Sequence, residues 1–169
     1  DVPGRDHGDD DNLMKRRQQS RSDTMHPAKR GTGTTPFDLA VSRVRKMDAE
    51  LVSQMVNSLV TTLSGMRTWG ASLSETTEFE RAVLVATFIE REGVITGLGQ
   101  KIESANLAVA AIKNRLRGNP SQRTLLYGEE ITSFDDFVYW HGYQLKEISC
   151  GEYVRVVRRA SGQMDAKLQ

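Results

Sequence analysis

Residues 143–159, YQLKEISCGEYVRVVRR, decide whether this chain is all helical or mixed. Tyrosine, isoleucine and valine are frequent there, side chains that suit a pleated backbone, and Cys150-Gly151-Glu152 interrupts the run near its middle. The pattern predicts two strands, Tyr143 to Ser149 and Tyr153 to Arg159, joined as an antiparallel hairpin. Before residue 120 the texture differs, because apolar residues recur three and four positions apart, as on one face of a helix. The expected fold class is therefore mainly α with a small C-terminal antiparallel β-hairpin.

Working back from the hairpin, Ser133 is placed to cap a short helix through Phe134, Phe137, Val138 and Trp140 that ends at Gly142. Residues 95–117, ITGLGQKIESANLAVAAIKNRLR, read as helix in one piece or two, stopped by Gly118-Asn119-Pro120. Ser72 with Glu75 forms a capping-box pattern that opens a helix from about residue 75 to Glu92, with Gly93 ending it. Upstream, Thr35-Pro36 with Asp38 has the features of a helix start, and Val41, Val44, Leu51, Val52, Met55, Val56, Leu59, Val60, Leu63 and Met66 form one apolar stripe. Gly65 and Gly70 frame its end.

Residues 1–34 carry almost no large apolar side chains and are expected to form a disordered arm, because they cannot offset the entropy of ordering. The expected organisation is this arm, a single domain over residues 35–159, and a polar tail over residues 160–169. One cysteine excludes an internal disulfide framework, and with three scattered histidines it also excludes a zinc finger or ribbon. No cofactor or metal is expected. No apolar run approaches the roughly 20 residues of a membrane span, and the N-terminus lacks a signal-peptide core. A soluble, intracellular protein is expected, cytoplasmic or virion-associated. The chain opens on Asp1 without an initiator methionine, as a processed product or fragment would.

Net charge is +1, yet the charge is unevenly distributed. An acidic tip, with Asp1, Asp6 and Asp9 to Asp11, precedes a basic segment holding Lys15, Arg16, Arg17, Arg21, Lys29 and Arg30. Such a segment binds phosphate backbones without sequence preference. Leu98, Gly99, Ile102, Val109 and Ile112 are spaced as in a helix-turn-helix unit with its turn at Glu103, and this stretch resembles the winged-helix class of DNA-binding domains. The resemblance implies a recognition helix beginning at Ser104 to Asn106, with Asn106 near base edges and Lys113, Arg115 and Arg117 toward phosphates. The hairpin, with Arg155, Arg158 and Arg159, would then be the wing. The alternative is one amphipathic helix whose Leu98, Ile102, Ala105, Val109, Ile112 and Leu116 pack on the long first helix.

Phe134, Phe137, Tyr139, Trp140 and Tyr143 are expected to form a small core beneath the hairpin, with stacking on exposed bases as the alternative. Cys150, His141, Asp135 and Asp136 supply the residue types of a cysteine nucleophile, base and orienting acid, but at a hairpin turn nothing would activate the thiol. Gly93, Gly97 and Gly99 have the wrong spacing for a phosphate loop. The expected function is non-enzymatic nucleic-acid binding, to DNA or RNA, through the basic arm and the helix-turn-helix. The alternative is a viral or phage structural protein that self-associates through the Val41–Met66 helix, as a homo-oligomer, and holds its genome with the arm.

Overall fold

Ser149 is where the expected hairpin gives way to helix. Its hydroxyl accepts the Glu152 backbone N–H at 3.3 Å, while the Glu152 carboxylate accepts the Ser149 N–H at 3.1 Å and the Ser149 hydroxyl at 2.7 Å. This reciprocal box opens a helix at Cys150. The computed structural model describes residues 40–41 and 44–168. It contains α1 (Ala49–Trp69), α2 (Leu73–Arg91), α3 (Gly99–Leu116), α4 (Gly128–Glu147) and α5 (Cys150–Leu168), with no strand among the described residues. The mixed fold is thus corrected to an all-helical one. Tyr143 to Glu147 close α4, and Tyr153 to Arg159 lie inside α5. Helical spacing explains the outcome: Val156 and Ala160 are buried, and Tyr153, Val157 and Met164 are half-buried on the same side.

Three further boundaries differ from the sequence reading. The helix expected over residues 133–142 is the middle of α4, which passes through both Ser133 and Gly142. Gly142 is needed inside the helix because a Cβ there would stand 3.1 Å from Val56 Cγ2, so the missing side chain lets α1 and α4 approach closely. Residues 160–168 of the expected polar tail form the last turns of α5. The long first helix is interrupted: Met47 N–H donates to Ile148 O at 3.3 Å and Cys150 N–H to Arg45 O at 2.9 Å, and α1 restarts behind the Asp48 N-cap, which accepts Glu50 N–H at 2.8 Å. The arm and the Thr35-Pro36 helix start lie outside the described residues.

Helix α2 is the hub, packing against each of the other four, while α4 also packs on α1 and α3. Its buried Thr76, Phe79, Val83, Ala86 and Ile89 recur at three and four positions. Phe79 meets Phe134 of α4 with ring centroids 4.5 Å apart, at the centre of a core completed by Leu63 and Met66 of α1 and Val109 and Ile112 of α3. A second buried cluster, Met47, Val52, Ile89, Leu145, Ile148 and Val156, seats the start of α5. At the end of α1, Gly70 adopts φ +81°, and a Cβ would come within 2.9 Å of Thr124 O. Glycine satisfies both demands, and Ala71 and Thr124 then exchange backbone hydrogen bonds at 2.7 and 3.0 Å.

Residues 99–116 form a single helix that runs through Glu103 and Ser104 without a turn. Its N-terminus is capped from α2, since the Glu90 carboxylate accepts Gly97 N–H at 2.8 Å and Leu98 N–H at 3.2 Å. No described helix is long and apolar enough to cross a membrane.

Candidate nucleic-acid interface

Two of the three cations expected to face DNA from the end of α3, Lys113 and Arg115, have partners within the fold. Lys113 Nζ donates to Glu80 at 2.8 Å. Arg115 makes a forked pair with Glu130 at 2.7 and 2.8 Å and also donates to Thr124 Oγ1 at 3.1 Å and Leu125 O at 3.3 Å. Its guanidinium lies 4.6 Å from the centre of the Tyr127 ring. The hydrogen bonds to Glu130, opposed by burial, raise the Arg115 pKa further. Arg115 thus ties the end of α3 to the start of α4. Arg117 is exposed. Asn106 is also exposed, in a depression lined by Glu80, Glu90 and Glu103 together with Arg91, so carboxylates outnumber cations around it. Lys15, Arg16, Arg17, Arg21, Lys29 and Arg30 lie outside the described residues.

The cations of α5 are arranged differently. Arg155, Arg158 and Arg159 line a groove of about 950 Å³ together with Arg45 and Lys46, which the backbone pairing at Ser149 brings alongside the helix. Two carboxylates share the lining, Asp48 and Glu152, and both already serve as helix caps. Glu152 is held below the usual carboxylate range by its hydrogen bonds from the Ser149 hydroxyl and N–H, against a smaller opposing effect of burial. Glu92 pairs with both Arg155 at 3.0 Å and Arg159 at 2.6 Å, so one carboxylate answers two guanidiniums. Lys46 pairs with Glu147 at 2.6 Å. Arg45 and Arg158 are exposed and have no acidic partner among the described residues. The groove therefore keeps an excess of positive charge on its solvent side. The wing expected from the sequence holds Arg155, Arg158 and Arg159 but not Arg45 and Lys46, whose adjacency in the chain is the available signal.

The aromatic cluster divides between core and surface. Phe134 and Phe137 are buried, whereas Tyr139, Trp140 and Tyr143 are 72%, 37% and 49% exposed. Their rings meet edge to face, at 5.2 Å for Tyr139 and Trp140 and 6.3 Å for Trp140 and Tyr143. No hairpin covers them among the described residues. Tyr143 stands one turn before Glu147, the residue that holds Lys46, so the aromatic row leads toward the cationic groove.

The catalytic constellation does not assemble. Asp135 pairs with Arg67, Asp136 with Lys101 at 2.5 Å, and Cys150 Sγ donates weakly to Lys46 O at 3.6 Å. His141 is buried and bonded to Gln144 at 3.1 Å. Cys150 opens α5 rather than sitting at a hairpin turn. Among the described residues no group of histidine, cysteine, aspartate or glutamate could hold a metal ion. No protein-family model, curated protein or solved structure matches the chain.

Proposed function

We propose that this chain is a non-enzymatic nucleic-acid-binding protein that holds a single strand through the groove of Arg45, Lys46, Arg155, Arg158 and Arg159, assisted by the basic segment of residues 15–30. The observation that carries this reading is the groove itself, which gathers five cations and whose Arg45 and Arg158 lack acidic partners among the described residues, while Lys113 and Arg115 of α3 are paired within the fold. The exposed row of Tyr139, Trp140 and Tyr143 favours a single strand over a duplex, because unstacked bases present faces to aromatic rings and paired bases do not. Fluorescence anisotropy of a 20-nucleotide mixed-sequence oligonucleotide, single-stranded and duplex, tests it across a salt series. Tighter binding of the single strand, weakening steeply with salt, is expected. Equal or tighter binding of the duplex would remove the aromatic row from the interface, and no binding of either would defeat the reading.

A second reading, a viral or phage assembly protein, draws on Val44, Leu51 and Val60, which remain 76%, 47% and 50% exposed although Val52, Leu59, Leu63 and Met66 of the same stripe are buried. Concentration-dependent oligomers that dissociate on Val60→Glu would favour it.

A further inference from the structure

The backbone of α5 approaches α2 closely but not α1 or α4, and the gap among these four helices is a cavity of about 420 Å³. This is a volume typical of small-molecule sites. Its walls are mainly apolar, with Met55 and Leu59 from α1, Val85 from α2, and Val157 and Met164 from α5. It shares no lining residue with the cationic groove.

Of the polar residues that line it, Ser58, Tyr153 and Ser161 among them, His141 is the buried one, at 3% exposure. Gln144 Nε2 donates to Ala86 O at 3.5 Å, so its Oε1 is the acceptor toward His141, and His141 Nδ1 carries the proton of that 3.1 Å bond. The other ring nitrogen, Nε2, is then a lone-pair acceptor. It has no partner among the described residues, and it is open to the cavity. Stacking on Phe137, with centroids 5.3 Å apart and planes 10° from parallel, fixes the ring. Burial keeps it neutral, with its pKa lowered to about 4 despite the Gln144 bond. Glu78 and Asp165 outnumber Arg81 in the lining, so an anion is disfavoured, and the apolar walls disfavour a charged body of either sign. Glu78 already accepts the Ser58 and Thr62 hydroxyls at 3.0 Å each.

We propose that this cavity binds a small uncharged hydrophobe bearing one hydroxyl, which donates to His141 Nε2 while the apolar body lies between α1 and α5. Nε2 reaches the cavity without a protein donor among the described residues, and such a ligand supplies that bond while its apolar body fills the gap. The test is calorimetric titration of the full chain with 4-butylphenol and with its O-methyl ether, which has the same body and no donor. The phenol is expected to bind about tenfold more tightly than the ether. Val157→Trp, which fills the gap, is expected to abolish phenol binding while leaving nucleic-acid affinity unchanged. The unmutated chain offers an independent readout, since the His141 Nε2 ¹⁵N resonance should move on addition of the phenol and not of the ether. No binding of the phenol, equal binding of the ether, an unmoved His141 resonance, or undiminished binding in a folded Val157→Trp variant would overturn the proposal.

Discussion

Lys113, Arg115 and Arg117 at the C-terminal end of α3 and Arg155, Arg158 and Arg159 in the first half of α5 are matched trios, one member of each without an acidic partner among the described residues, yet the paired members are held differently. On α3, Lys113 and Arg115 each have a carboxylate from a neighbouring helix, Glu80 from α2 and Glu130 from α4. On α5, Arg155 and Arg159 share Glu92, and Arg158 has no acidic partner among the described residues. Residue type is the same in both places. What differs is the number of acidic side chains that adjacent helices supply, and that sets whether a cation is a structural tie or is available to a phosphate. A buried pair gains by being complete, whereas a surface guanidinium without a full partner keeps its charge for a ligand.

The largest expected effect lies at the α3 end. Arg115→Ala strands the Glu130 carboxylate, which is 7% exposed, and should lower unfolding stability by about 3–5 kcal/mol in chemical denaturation. A loss below about 1 kcal/mol would mean that Arg115 is a surface charge after all, and the contrast with α5 would fail.

Acid should act on the cluster beneath α5. His141 is neutral when buried, with a pKa of about 4 against an ordinary 6.5, so between those values the unfolded chain takes up a proton that the folded chain refuses. Stability is therefore complete above about pH 6.5 and falls as pH drops toward 4, by about 3 kcal/mol in total. The lowered pKa values of Glu75 and Glu152 add a loss at lower pH, because their contribution is present above the ordinary carboxylate value and disappears as pH falls through the lowered one. For Glu75, burial works against the shift, and the Ser72 hydrogen bonds together with Arg123 outweigh it. Denaturant midpoints that stay flat from pH 6.5 to 4 would show that His141 is not held neutral.

Smaller effects sharpen the comparison. Ser149→Ala removes the cap that turns the chain into α5 and should cost about 1 kcal/mol, similar to Ser72→Ala at the start of α2. Arg158→Ala should change stability by less than about 0.5 kcal/mol, as expected of an exposed side chain without a partner. A larger loss would show that Arg158 also belongs to the fold.

The two caps show what was legible in the chain and what was not. Ser72 and Glu75 precede an unambiguous helical periodicity, and the box is read at once. Ser149 and Glu152 have the same spacing, but they enclose Cys150-Gly151 and are followed by Tyr153, Val154, Val156 and Val157, residues that favour strands. There the local propensity outweighed the cap, although the adjacent Val156 and Val157 would face opposite sides of a strand while sharing one face of a helix. Gly142 reads as a stop because the tight crossing that requires it, against Val56, lies 86 positions away in sequence. The same non-locality hid the interface. Nothing near Arg115 marks Glu130 as its partner, and nothing near Arg158 brings Arg45 beside it, until the helices are packed.

The most direct measurement compares charge reversal at the two ends by anisotropy of the single-stranded 20-mer on the full chain. Arg45→Glu combined with Arg158→Glu is expected to weaken binding at least about tenfold and to flatten the salt dependence by about 1.4 in log–log slope, while Arg117→Glu, an exposed cation at the end of α3, should change affinity by less than about twofold. A loss at Arg117 with no effect of the Arg45 and Arg158 pair would place the interface on α3 and contradict the cationic groove as the binding surface.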